Sequence, residues 1–352
     1  MRISVSSPGK IHLTSAHVVV YGKPALLSTI NLRTEVKLST NTKTNKIKLI
    51  SRVLKTETEI SAEDAINDLA YAQRVWQEFA QEKNITLLKK LFNKPLQLTI
   101  YAVAQALTSL KQKPGGLTLE IDSQIPAGSN LGSSAALSAS IIGSLFLHFG
   151  QNLNKEKIND LVFETEKLIH GFPSGGDNTA VVFGGLLWYR KETGFLNLYK
   201  NLSVKANDNF LIINSGKPNE TTGEMVVKVK KLVNKRPKYF QRIFSLMEEQ
   251  KKEFLTAFWE NNLLQMKEIM TRDERLLEKL GVVSLSTKEL IRDLEKLGTA
   301  VGVSGAGGYQ NRSGALVVLT NDKAPVIEYT KKINLKYYDA LLGVEGLRSE
   351  ND

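Results

Sequence analysis

The sequence predicts a mixed α+β protein built as two packed units. Short runs rich in β-branched residues alternate with longer stretches whose apolar residues recur at helical spacing. A chain of 352 residues with 42% hydrophobic content is long enough for two domains, each with its own core. Three glycine-punctuated junctions, around Gly9 and Gly22, from Gly128 to Gly132, and from Gly302 to Gly308, are more than turns alone require.

In chain order, Ile3 to Val5 forms the first strand, which Pro8 and Gly9 break just before Lys10. Val18 to Tyr21, Leu32 to Leu38 and Ile47 to Ile50 read as further strands, each β-branched and bounded by turns. Ser61 to Lys83 is helical: Ile66, Leu69, Trp76, Phe79 and Ala80 share one face, Ser61 and Asp64 resemble a capping box, and Trp76 reads as core. Leu98 to Leu110 is a second helix, and Leu117 to Ile121 a strand leading into a glycine-rich loop. A long apolar helix opens near Ser133, another runs from Asn154 to His170, and Leu186 to Tyr189 is a strand after Gly184 and Gly185. The polar stretch from Lys200 to Asn207 links the units, which places the expected domains at 1–205 and 206–352. Beyond it come a strand at Phe210 to Asn214, helices at Thr222 to Val233, Lys238 to Trp259 and Leu263 to Leu280, the last glycine loop, and a strand at Ala315 to Leu319.

Composition narrows the function. There are no cysteines, which excludes disulfides and thiolate metal sites and is compatible with a reducing cytosol. No apolar signal core follows a basic start, and no run approaches the ~20 apolar residues that span a bilayer, so a soluble cytoplasmic protein without a membrane partner is expected. The excess of 47 Lys plus Arg over 36 Asp plus Glu gives a net charge of +11, a surface that attracts anions such as nucleotides. The basic residues are scattered, and the Lys-rich stretch from Lys228 to Lys238 reads as a solvated helix face, so no nucleic-acid partner is expected.

The run IPAGSNLGSSAALSAS from Ile125 is the most informative segment. Gly128 and Gly132 permit backbone angles at which successive N–H groups converge on one point, and the helix that follows adds free amides and its positive dipole end. Such a loop cradles a phosphate, and Ser133 and Ser134 can cap amides or reach a phosphate or a metal ion. It lacks the Gly-Lys-Ser/Thr ending of a Walker loop; an ordinary Ser-capped buried helix is the competing reading.

Together with PGKIHLTSAHVVVYGKPA from Pro8 and SGAGG from Ser304, the loop PAGSNLGSSAA resembles the three ordered motifs of the GHMP kinases. HGFPSGGDNTAVVFGG, from His170 to Gly185, resembles the segment that bears the catalytic aspartate in the mevalonate kinases of that superfamily. TTGEMVVKV from Thr221 and NNLLQMKEIMTRDERLLEKLGVVS from Asn261 are weaker matches, so the similarity runs in order along most of the chain. The resemblance implies a ribosomal-protein-S5-like N-terminal ATP-binding domain and a ferredoxin-like C-terminal domain. It implies ATP and Mg²⁺ as cofactors, mevalonate as the small-molecule substrate, 5-phosphomevalonate as product, and a possible homodimer.

By the same resemblance, Asp177 in a Gly-rich loop orients or deprotonates the substrate's primary alcohol for in-line attack on the γ-phosphate, and Lys10 sets a positive charge beside it. ATP is expected along Pro126, Ala127, Gly128, Ser129, Asn130, Leu131, Gly132, Ser133, Ser134 and Ala135. Glu166, eleven residues before Asp177, and Ser134 are expected to hold Mg²⁺, with Glu164 on another helix face as the competitor for Glu166. His17, Thr222, Gly305, Ala306 and Gly307 are expected beside the substrate with Lys10 and Asp177, although helix capping explains Thr222 nearly as well. Two departures border this site: Ser15 and Ala16 stand where the family carries Gly-Glu before His17, and the third motif continues as a bulkier Gly-Tyr-Gln-Asn-Arg-Ser-Gly. The alternatives are another GHMP kinase, acting on phosphomevalonate or a sugar, and a non-catalytic nucleotide-binding relative.

Overall fold

Two long strands, β1 (Arg2–His12) and β2 (Ala25–Thr40), pair antiparallel to form the spine of an eight-stranded sheet in the computed structural model, which describes residues 2–41, 43–198 and 208–350. β2 is long because it serves several neighbours. Its first residues pair with β6 (Leu186–Arg190), while Thr34 to Thr40 pair with β5 (Leu117–Ser123). β3 (Ile47–Ser51) runs parallel to β5, β4 (Thr56–Ile60) closes that edge, and β7 (Gly194–Asn197) extends β6. Along β2, Thr34, Val36 and Leu38 are buried while Glu35 and Lys37 are half-exposed, the period-two pattern of a sheet covered on one face.

Helices α1 (Ala62–Glu82), α2 (Ile85–Lys89), α3 (Gln97–Leu110), α4 (Ser133–His148), α5 (Lys155–His170) and α6 (Gly176–Phe183) complete this half. α1 starts where expected, with the Ser61 hydroxyl accepting from the Asp64 amide at 3.0 Å. Trp76 is half-buried, its ring N–H donating to the Gly171 carbonyl at 2.8 Å. α4 packs on α3, β1 and β2, and its apolar residues share one core with Val5, Val36 and Leu38.

The second sheet has the order β11 (Lys336–Asp339), β8 (Phe210–Asn214), β10 (Ala315–Leu319), β9 (Ala300–Val303), all antiparallel. It carries α7 (Thr222–Lys235), α8 (Pro237–Trp259), α9 (Leu263–Lys279), α10 (Leu285–Glu295) and α11 (Ala324–Lys332). The chain then returns to the first sheet, where β12 (Arg348–Glu350) pairs with β1. No helix among the described residues is long and apolar enough to cross a membrane. The linker expected from Lys200 to Asn207, and the domain boundary after 205, lie outside the described residues.

Three local expectations are corrected. Val18 to Tyr21 is not a strand but part of a 3-10 helix, His17–Tyr21, closed by Gly22 at φ +75°. The flanks of β2 are already taken by β1 and β6, so the β-branched run serves burial instead: Val18 enters the core of the second half and Val19 a small cluster with Leu27 and Leu187. Pro8 and Gly9 do not break β1. The pairing slips from Pro8 opposite Arg33 to Gly9 opposite Ile30, a bulge that lets the strand continue and re-aims the residues after it, Lys10 first. Asp177 lies not in a loop but in the first turn of α6, behind Gly175 at φ +87°.

Candidate active site

The end of β1, the glycine-rich loop, α5, α6 and the last glycine motif meet around a cavity of about 890 Å³. Past the bulge, Lys10 and His12 lie on the same face of β1 and both line it. Lys10 is 2% exposed; its ammonium stands 3.0 Å from Asp177 Oδ1 and donates to the Asn130 carbonyl at 3.2 Å. Its backbone amide donates to Leu131 O at 2.9 Å, which ties strand to loop. The approach is so close that a Cβ on Gly132, at φ +76°, would sit 2.9 Å from Lys10 Cγ. Glycine is required there both for the backbone angle and for the space.

Gly128, Asn130 and Gly132 alternate in the left-handed region. Among the described residues, the amides from Gly128 to Ser134 donate to no protein acceptor, so they remain available to an anion at the start of α4. Asn130 lines the cavity, Leu131 and Ala135 face the core, and the Ser129 hydroxyl is spent on Pro126 O at 2.7 Å. Ser133 and Ser134 are half-buried at the first turn of α4, outside the cavity wall, with hydroxyls that bond to no described residue.

Glu166 and Glu164 separate as helical spacing demands. Glu164 is exposed and paired with Lys167, whereas Glu166 is buried, lines the cavity and leaves its Oε1 without a partner. Its Oε2 lies 3.4 Å from His170 Nε2. Burial opposes a charge on His170, but the Glu166 carboxylate outweighs it, and the imidazole pKa rises above its ordinary value.

His17 is buried on the cavity wall, its Nε2 bonded to the Ala306 carbonyl at 2.8 Å. Burial pushes its pKa down, against the pull of that carbonyl, which favours a neutral ring with the proton on Nε2. Gly305 and Ala306 also line the cavity; Gly307 does not, because it is pressed against Val282. Thr222 lines the cavity and is not the cap of α7. Thr221 takes that role in a capping box with Glu224. The bulk of the third motif also stays clear of the cavity: Tyr309 is exposed beneath the Lys228 ammonium, and Glu220 accepts the Gln310 amide at 3.0 Å.

His12 escaped the sequence reading. Period-two spacing from Lys10 was the signal that could have found it. Its Nε2 is 3.9 Å from Asp177 Oδ1. The unusual Ser15 also has a purpose, since its hydroxyl accepts from the fully buried Lys251 at 2.7 Å and its amide donates to Asp273 Oδ2 at 2.6 Å. Ala16 leaves an apolar surface on the cavity wall.

A profile of the family described as GHMP kinases N terminal domain matches residues 98–185. The chain is 30% identical over 321 residues to the mevalonate kinase of Thermococcus sibiricus, covering 88% of each protein. Its fold is similar to the crystal structure of Methanococcus jannaschii mevalonate kinase, with a TM-score of 0.80 and 22% identity across 100% of this chain and 99% of that one. It is similar also to the mevalonate kinase of L. major in complex with R-mevalonate, with a TM-score of 0.71 and 21% identity over 96% of this chain and 94% of that one.

Proposed function

The chain belongs to the mevalonate kinase family of GHMP kinases, and on that premise we propose that it transfers the γ-phosphoryl group of ATP to the primary hydroxyl of mevalonate, giving 5-phosphomevalonate and ADP. The observation that carries this reading is the Lys10–Asp177 pair at 3.0 Å, open to a cavity that Glu166 and Asn130 of the glycine-rich loop also line.

Phosphoryl transfer asks the protein chiefly to position two reactants and to neutralise charge. The free amides from Gly128 to Ser134 suit the phosphates of ATP. Asp177 accepts the proton of the primary hydroxyl, whose oxygen forms its bond to the γ-phosphorus as the bond to the ADP oxygen breaks. Lys10 keeps a positive charge against Asp177 and the loop while this happens. The unpartnered Glu166 Oε1 and the unengaged Ser134 hydroxyl suit Mg²⁺, which takes few protein ligands and prefers hard oxygens. When bound, it would supply charge neutralisation at the β- and γ-phosphates.

In this reading residues 1–205 form the ATP-binding domain, joined by the returning strand β12 that the expected 206–352 boundary had left in the other unit, and the rest of 206–352 forms the C-terminal kinase domain, which lends Thr222, Gly305 and Ala306 to the substrate side of the cavity. Incubating the protein with ATP, Mg²⁺ and a panel of mevalonate, phosphomevalonate and small sugars tests it. ADP release driven by mevalonate is the expected result; release driven only by another alcohol reassigns the substrate, and ATP binding without release for any alcohol removes the activity.

A further inference from the structure

We propose that His12 is a catalytic residue whose Nε2–H donates a hydrogen bond to the attacking hydroxyl oxygen of the acceptor alcohol, opposite the Asp177 carboxylate that takes the proton; this rests on the phosphoryl-transfer reading above.

The placement is fixed from three sides. His12 follows Lys10 on the same face of β1, is 6% exposed, and lines the cavity with Lys10, His17 and Asp177. Its backbone amide donates to Ser304 Oγ at 3.0 Å, so the last glycine motif clamps the strand at this residue. The bulge at Pro8–Gly9 sets the register that brings both side chains to the site.

The span to Asp177 is what an intervening oxygen fills. At 3.9 Å, Nε2 and Oδ1 are too far apart for a direct hydrogen bond. One hydroxyl oxygen about 2.8 Å from the carboxylate and about 2.9 Å from the nitrogen bridges that distance. The hydroxyl gives its proton to Asp177 and accepts from His12, and as negative charge grows on the oxygen the His12 bond strengthens.

The ring's own chemistry fits the task. Nδ1 is buried without a partner, whereas Nε2 faces a carboxylate, so the single proton of a neutral ring belongs on Nε2. Burial first, then the positive charges of Lys10 and Lys251 and the neighbouring His17, push the imidazole well below its ordinary pKa. That matters, because a charged His12 would compete with the substrate for Asp177, while a neutral one leaves the carboxylate free to accept a proton.

His12→Leu removes the donor and His12→Gln returns an amide N–H near the Nε2 position. With mevalonate, His12→Leu should lower kcat by roughly tenfold or more and leave KM for ATP within about twofold, and His12→Gln should recover most of the loss. Thermal melts of both variants should match the wild type. A kcat for His12→Leu within twofold of wild type overturns the proposal, as does failure of His12→Gln to restore turnover in a folded variant, which would make His12 only a space-filler. Nitrogen-15 spectra of the four histidines, with His12→Leu as the assignment, give a second readout that needs no turnover. They should show His12 as a neutral Nε2–H ring that shifts when acceptor is added; a neutral Nδ1–H ring, or a charged one at neutral pH, also overturns it. If the wild type releases ADP only with another alcohol, the substrate reading fails, and His12 is judged with that alcohol instead.

Discussion

Lys10 and Lys251 are both withdrawn from solvent, and each lies near an aspartate, yet the two regions are built in opposite ways. Lys10 touches Asp177 directly, and Asp177 keeps 33% of its side chain open beside the cavity. Lys251 has no carboxylate within ion-pair range among the described residues. Its ammonium goes to the Ser15 hydroxyl and the Met247 carbonyl, and Ser15 in turn hands its amide to Asp273. Asp273 Oδ1 and the neighbouring Glu274 Oε1 have no partner at all. Burial pulls the Lys251 pKa down to about 8, and pushes Asp273 and Glu274 upward. The open pair keeps Asp177 partly solvated, so a substrate can reach its carboxylate directly and displace the water there. The sealed one has already given up its water, and its charges hold the turn that carries Ala16 and His17.

The sharpest way to break this comparison is Asp177→Asn, which keeps shape but removes the proposed proton acceptor. Turnover should fall about 10³-fold or more while ATP affinity, read by calorimetry, stays within about twofold. Turnover near the wild-type rate would remove Asp177 from the chemistry and leave both pairs architectural.

The sealed region should respond the other way round. Lys251→Met leaves the buried Ser15 hydroxyl and Met247 carbonyl without their ammonium donor and should lower unfolding stability by about 2–3 kcal/mol in urea titrations. Its loss of turnover should be far smaller than that of Asp177→Asn. A variant as stable as the wild type would show that the buried lysine holds nothing in place. Ser15→Ala removes the oxygen that receives the Lys251 ammonium but spares the amide bond to Asp273, so a loss of about 1–2 kcal/mol is expected by the same titration. No loss would mean that Met247 O alone satisfies Lys251.

The open region was far more legible in the sequence than the sealed one. Lys10 follows a Pro-Gly pair, and Asp177 and Glu166 sit eleven residues apart in one continuous segment; the resemblance of these segments to family motifs made them readable, where spacing alone would have left Lys10 a surface lysine. Helices with a clear cap, such as those after Ser61 and Asn154, were equally readable, because cap and apolar face agree. The run at Val18 to Val20 misled, since β-branched residues report burial as much as strand, and the neighbouring strand edges were already occupied. β9 escaped notice because Ala300–Val303 is short and contains Gly302. The sealed cluster joins Ser15 to residues 236 and 258 positions away, and neither periodicity nor motif spacing carries information over that distance. Ser15 therefore read as a departure from a family pattern, when its hydroxyl and amide are the links between Lys251 and Asp273.

The smallest expected effect has the opposite sign. Glu274 is wholly buried; its Oε2 accepts the Val303 amide at 2.8 Å and its Oε1 accepts nothing. Burial raises its pKa well above the ordinary 4.5, opposed by the Val303 amide and reinforced by Asp273 and Glu278. The folded protein therefore holds this proton at pH values where the unfolded chain has released it, so this residue's contribution to stability falls as pH rises from 4.5 through the raised value. Glu274→Gln keeps an oxygen for the Val303 amide and cannot ionise. At pH 8 the variant should be more stable than the wild type by about 1 kcal/mol, with turnover unchanged, and the gap should narrow as the pH is lowered toward the ordinary carboxylate range. Melting curves across that range check it. A variant less stable at pH 8 would mean that the charged carboxylate gains more from the Val303 amide than burial costs.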